Sequence, residues 1–138
     1  MNIKNDTVDK PFDFWNDHSL EFLEMAMKRD FQETVNISDG YGKSTRDCGD
    51  ILEIFLIKKD GALGTISYDL KGCLFSHACV NTLIMLALHQ TIEKAKTLTA
   101  QDIIVYLKTL PKEEEHCATH AILAFRMALA DLEDRQNN

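Results

Sequence analysis

Four cysteines, Cys48, Cys73, Cys79 and Cys117, carry most of the chemistry open to this sequence. Cys48 opens Cys48-Gly49-Asp50 at the end of a polar stretch, Cys73 follows Gly72 where a predicted strand gives way to a helix, and Cys117 follows His116 where the last helix begins. None of these three sits in the middle of an apolar face. Structural cysteines usually pack within elements, whereas ligating or reactive ones need access and a stabilised thiolate. Cys73 and Cys117 fall at or just before helix N-termini, where unpaired N–H groups and the helix dipole favour anionic sulfur. Asp50 adds an oxygen donor near Cys48, and His116 a nitrogen donor beside Cys117. A thiolate-rich set with one N or O donor suits zinc or an iron–sulfur cluster, not calcium or magnesium.

Spacing alone does not choose between these uses. The chain lacks the Cys-x₂₋₄-Cys knuckle of structural zinc sites and the dense cysteine run of ferredoxins. A composite metal or sulfur site, a thiol enzyme or redox protein, and incidental cysteines all stay open on this evidence. Cys79, among Ala78, Val80 and Leu83, reads as a small buried hydrophobe, with an auxiliary sulfur-carrying or ligating role as the alternative. His77 is the matching auxiliary candidate, close enough in sequence to support Cys73. His18 reads as a first-turn surface or packing residue, and His89 falls in the last turn of its helix. His116 and His120 stand four apart without the glutamate of a zincin. The pattern of a zinc deaminase is also missing, and Gly40-Tyr-Gly-Lys-Ser44 lacks the spacing of a phosphate loop.

Positioning these residues requires a sheet and several helices. Residues 17–29 predict a first helix capped by Asp17 or Ser19, with Leu20, Leu23 and Met27 as its stripe. Residues 31–37 alternate weakly, as a strand would, and residues 39–47 read as a polar loop. Ile51–Lys59 and Ala62–Leu70 predict a hairpin turned by Asp60-Gly61. A helix from Ser76 to about Gln90 is apolar on most sides and therefore central. Thr99 and Asp102 predict a capping box for a helix to about Lys108. The last helix, from His116 to about Asp134, carries the stripe Ala118, Ile122, Phe125, Leu129 and Leu132, with Arg126 and Glu133 opposite. Strands first and helices later give an α+β fold, a small antiparallel sheet of about three strands against four or five helices.

Residues 1–138 are expected to form one domain, with no repeat or linker and with 45% hydrophobic residues to build a core. The apolar run near Val80–Leu88 is shorter than the roughly 20 residues of a membrane span. The first residues have neither an apolar signal core nor the composition of a targeting segment, which leaves the cytoplasm as the expected location. A net charge of −7 argues against nucleic acid as a partner. The acidic run Glu113–Glu115 reads as a solvated loop, with contact to a basic partner as the alternative.

Together, Cys48-Gly-Asp50 before a strand, Lys71-Gly-Cys73 at a strand-to-helix junction and Leu110-Pro-Lys-Glu-Glu-Glu-His-Cys117 opening the last helix resemble the IscU/NifU N-terminal family of iron–sulfur cluster scaffolds. Leu98-Thr99 before the short helix fits too, and the likeness covers roughly residues 17–135, leaving 1–16 as a divergent N-terminal segment. The resemblance implies a non-enzymatic scaffold that binds Fe²⁺ and builds a transient [2Fe–2S] cluster. It makes Cys48, Cys73 and Cys117 the cluster cysteines, with Asp50 a weak ligand favouring release and His116 a fourth ligand. It makes Cys117 the acceptor of persulfide sulfur. The implied partners are a cysteine desulfurase, an electron donor such as ferredoxin, and recipient apoproteins. Leu110-Pro-Lys-Glu-Glu departs from the family's Leu-Pro-Pro-Val-Lys, so weak or absent use of the specialised Hsp70 chaperone is expected. Neither the extra domains of full-length NifU nor the insertion of the zinc-stabilised SufU branch is expected. The alternatives are a zinc-bound protein that passes sulfur or stimulates a desulfurase, since the same ligands hold Zn²⁺, and a structural zinc interaction domain.

Overall fold

The hairpin that the sequence predicts forms the middle of a three-stranded antiparallel sheet in a computed structural model, which describes residues 17–47 and 49–137. β2 (Ile51–Lys59) pairs with β3 (Ala62–Lys71), Lys59 opposite Ala62 and Ile51 opposite Lys71, with a bulge at Ile57/Lys58. Asp60 and Gly61 both take positive φ, 54° and 80°, the combination a two-residue hairpin turn needs. Leu52, Ile54 and Leu56 of β2 and Ile66, Tyr68 and Leu70 of β3 are buried in the common core.

The first edge strand lies where the sequence reads as a polar loop. β1 (Gly40–Thr45) pairs along β2, Gly40 opposite Leu56 and Thr45 opposite Ile51. Gly-Tyr-Gly-Lys-Ser-Thr has little strand propensity, because glycine offers the sheet no side chain. Tertiary packing supplies the reason for the glycines. A Cβ on Gly40 would lie 2.5 Å from the Ala128 carbonyl oxygen, and one on Gly42 2.2 Å from that of Ala124. The last helix rests directly on the strand's backbone.

Residues 31–37, expected as a strand, contribute only a parallel bridge from Gln32 to Tyr68. Tyr68 N–H donates to the Phe31 carbonyl at 3.0 Å, and Glu33 N–H to the Tyr68 carbonyl at 2.9 Å. Two bonds suffice to cover part of the outer edge of β3.

α1 (Leu20–Met27) is capped by Ser19, whose hydroxyl accepts from Phe22 N–H at 3.1 Å. Its buried face is Phe22, Met25 and Ala26, not the expected stripe: Leu20 is 77% exposed and Met27 54%, with Leu23 partly buried. Both sets have helical spacing, and packing against α2 selects the first. α2 (Leu74–Ala87) begins two residues before the expected Ser76 cap, with Cys73 at the cap position, and stops short of Gln90. Every residue from Ser76 to Ile84 is buried, so the helix is central as expected. Within it, Asn81 Nδ2 donates to the Met25 and Lys28 carbonyls, both at 2.9 Å, and so satisfies the end of α1. His89 lies beyond α2 with φ 68° and donates its N–H to the Leu63 carbonyl, a correction to its expected place in the last turn.

One turn, α3 (Ile92–Ala95), was not expected. α4 (Ala100–Leu107) has the Thr99–Asp102 capping box. A 3₁₀ turn (Lys112–Glu114) leads into α5 (His116–Gln136), whose expected stripe is buried throughout. α5 packs on β1, β2 and α2. No helix among the described residues is long and apolar enough to cross a membrane.

Gly42→Ala should lower stability by about 3 kcal/mol, the scale of an overpacked core, because its methyl meets helix backbone on α5. Urea unfolding checks this, and a wild-type midpoint would show that α5 does not depend on the glycine.

Candidate metal centre

Three chain segments meet at one edge of the fold. The first is the β3–α2 junction, where Cys73 occupies the N-cap of α2 and its carbonyl accepts from Ser76 and His77 N–H at 3.1 and 3.2 Å. Its thiol is exposed. The second is the first turn of α5, which holds Cys117 only 1% exposed. The third is the β1–β2 loop, closed by Arg46 N–H to the Asp50 carbonyl and Gly49 N–H to the Arg46 carbonyl, both 2.9 Å. Gly49 takes φ 98° there. Cys48 belongs to this loop by sequence but lies outside the described residues.

Ser76 joins the two helices. Its hydroxyl donates to Cys117 Sγ at 3.5 Å and lies 3.6 Å from Cys73 Sγ. Because Ser76 has one proton to give, the Cys73 thiol is the donor in the second contact. Arg46 joins the loop to α5: its Nη1 is 3.2 Å from Asp50 Oδ2 and 3.7 Å from Cys117 Sγ. Gly72 completes the convergence, since a Cβ there would lie 3.5 Å from Asp50 Cγ.

Cys73 and Cys117 therefore come together as the sequence suggests, and Asp50 reaches the same place through Arg46. His116 is turned more to solvent, with a side chain 47% exposed and Nε2 3.9 Å from Glu114 Oε1. With Thr45, Arg46 and Asp47 it lines an open depression of about 470 Å³.

The profile of the NifU-like N terminal domain family matches residues 29–138. The chain belongs to that family. It is 32% identical over 107 residues to iron–sulfur cluster assembly scaffold proteins IscU 1 and IscU 2 of Archaeoglobus fulgidus, covering 73% of this chain and 70% of each of theirs. The fold is that of a nitrogen-fixing NifU-like protein (N-terminal) from Brucella abortus, with a TM-score of 0.69 at 13% identity over 88% of this chain and 99% of the other. It is equally that of FiSufU, a proposed SUF-system scaffold from thermophilic Fervidobacterium islandicum AW-1, with a TM-score of 0.69 at 14% identity over 83% and 97%.

In this NifU-like domain burial pushes the Cys117 thiol up to about 11; the Ser76 hydrogen bond and Arg46 pull it down, while Cys73 and Glu114 push it further up. Cys79 is fully buried, and burial raises its thiol well above the usual range. His77 gives its Nδ1 to a 2.9 Å hydrogen bond with the Tyr68 hydroxyl, and burial, assisted by Arg29, lowers it to about 4. His120 is also lowered by burial, and its Nε2 donates to the Ser44 carbonyl at 3.1 Å, tying α5 to β1.

Sequence reasoning missed three residues of this centre. The sequence offers Ser76 as a cap, Arg46 as part of a polar loop, and Glu114 as part of an acidic run that is solvated or meets a basic partner. Glu114 is instead half-buried, with Cys117 Sγ donating to its Oε1 at 3.8 Å. Its signal was its place three residues before Cys117, one turn away along a helical path.

Ser76→Ala removes a hydrogen bond that favours the Cys117 thiolate, so alkylation of Cys117 at fixed pH should slow by roughly three- to tenfold. Quantitative mass spectrometry of the alkylated peptide reads this, and an unchanged rate would remove Ser76 from the thiol's control. For His77, the unfolded chain takes up a proton between pH 6.5 and about 4 that the folded chain refuses, so stability falls as pH drops through that window. Relative to His77→Gln, wild type should lose about 2–3 kcal/mol across it, measured by denaturant unfolding at each pH.

Proposed function

We propose that this chain is a scaffold on which iron–sulfur clusters are assembled and from which they are passed on, a role without turnover of a substrate. The observation that carries this reading is the meeting of Cys73 and Cys117 at the N-termini of two helices, beside the Asp50 loop. Two helix N-termini favour the negative charge of a thiolate-bound iron–sulfur unit. Membership of the NifU-like family and kinship with proteins named as IscU scaffolds support it further.

In this reading residues 1–138 act as one cytoplasmic domain, and Cys48, Cys73 and Cys117 hold the cargo. Asp50 and His116 are the exchangeable donors. A cargo site differs from a resident-cofactor site in needing at least one weak position, and a carboxylate among thiolates is weak toward iron–sulfur units. Asp50 has a waiting partner in Arg46, which takes the carboxylate back when the cluster leaves.

Sulfur arrives as the persulfide of a cysteine desulfurase. The thiolate of Cys117 attacks the outer sulfur, a new S–S bond forms on Cys117, and the desulfurase cysteine leaves as thiolate. Two electrons from a ferredoxin-like donor then cleave that bond, returning the thiolate and releasing sulfide to Fe²⁺. Repetition gives a [2Fe–2S] unit for a recipient apoprotein. The exposed Cys73 is the competing acceptor, since Cys117 is buried. Cys79 and His77 remain auxiliary: one is fully buried, the other bonded to Tyr68. A zinc-holding sulfur-transfer protein is the second reading, because the same donors suit Zn²⁺.

Anaerobic reconstitution with desulfurase, cysteine, reductant and Fe²⁺ should give a chromophoric cluster that transfers to apo-ferredoxin. Asp50→Ala should lengthen its lifetime, and a sulfur adduct should appear first on the Cys117 peptide. Tightly retained zinc with no cluster formed would replace the scaffold reading with the zinc one.

A further inference from the structure

Cys73 Sγ, Cys117 Sγ and a carboxylate oxygen of Glu114 all lie within 4.8 Å of one another. We infer that Glu114 is a metal ligand, and that with Cys73 and Cys117 it forms a two-sulfur, one-oxygen seat at which a divalent transition-metal ion first binds. The inference deepens the scaffold reading, and rests on it for the ion's later use, though not for its binding.

The local chain path puts the carboxylate there. Glu114 ends the 3₁₀ turn, held by its N–H to the Pro111 carbonyl at 2.9 Å, and Cys117 stands three residues on, in the first turn of α5. Of the three consecutive acids, Glu114 contacts a thiol of the centre, and its side chain is 28% exposed. His116, the donor the sequence favours, is nearly half exposed and outside this cluster.

Charge gives the second reason. Two thiols that must ionise to ligate, with a carboxylate between them, repel one another unless a cation joins them. Arg46 offers one positive charge, already shared with Asp50. A divalent ion does more: with Cys73 and Cys117 as thiols and Glu114 as carboxylate, binding releases two protons and leaves a complex of net charge −1. The Cys117 S–H already points its proton at Glu114 Oε1, so the oxygen that accepts the proton in the free site faces the ion in the loaded one.

The distances suit a small borderline ion. Zn–S near 2.3 Å and Zn–O near 2.0–2.2 Å give tetrahedral edges of about 3.5–3.8 Å, so the donors need to close by no more than about 1.3 Å. An S₂O set of this kind selects zinc, iron(II) or cobalt(II) over magnesium or calcium. A fourth position stays open for a further donor or sulfur.

The test uses the full apo chain as wild type, Glu114→Ala, Glu114→Gln and the exposed neighbour Glu113→Ala, each checked for wild-type circular dichroism. Zn²⁺ affinity is measured by competition with a chromophoric chelator, and the first shell by X-ray absorption at the zinc edge. Glu114→Ala should weaken Zn²⁺ by about tenfold or more and remove one oxygen scatterer, Glu114→Gln should weaken it less, and Glu113→Ala should stay near wild type. Glu114 variants that bind Zn²⁺ as tightly as wild type with an unaltered shell would overturn the inference, whether or not clusters assemble. The predicted losses in a chain that never builds a cluster would uphold it while the scaffold reading fell.

Discussion

Much of this molecule depends on how closely α5 can approach β1. A helix ordinarily stands off a sheet by the thickness of its side chains, about 10 Å between axes and strands. Gly40 and Gly42 remove that layer at two places, and the Ala124 and Ala128 turns of α5 come down onto the strand backbone. Alanines at those helix positions and glycines on the strand are a matched pair of absences. From this seat the helix runs back to its N-terminus at the metal centre, so the depth at which it is seated fixes where Cys117 stands relative to Arg46 and Asp50. His120 adds a polar tie to Ser44, one turn from the thiol.

The second constraint is electrostatic. The centre gathers groups that are negative or become so: two thiols, Asp50 and Glu114. Arg46, the Ser76 hydroxyl and two helix N-termini counter them. Burial keeps Cys117 protonated at neutral pH, so its proton must leave before the sulfur can hold a metal ion or attack a persulfide. The same burial keeps Cys79 and His77 neutral within the core, close in sequence to Cys73, with His77 bonded to Tyr68.

Several features were legible from residue type and order because local chemistry alone fixes them. Asp60-Gly61 sets a tight hairpin whatever surrounds it, Thr99 and Asp102 cap each other within one turn, and the stripe from Ala118 to Leu132 admits one buried face. The meeting of Cys73 with Cys117 was also within reach, since both stand at helix N-termini and both motifs match the family. The α1 face was not, because Leu20, Leu23 and Met27 have spacing as helical as that of Phe22, Met25 and Ala26, and only α2 decides between them.

By itself, then, the amino-acid sequence determined the α+β class, the hairpin, the capping of α1 and α4 and the placing of Cys73, Cys117, Asp50 and His116 at element ends. These depend on interactions within a few residues or on periodicity along one element. Tertiary structure alone decided that a glycine-rich polar stretch is a strand, that Arg46 spans Asp50 and Cys117, and that Glu114 rather than His116 lies against the thiols. Each of these is a contact between segments far apart in the chain, or a choice of side-chain direction made by such a contact. Propensity and spacing do not decide it.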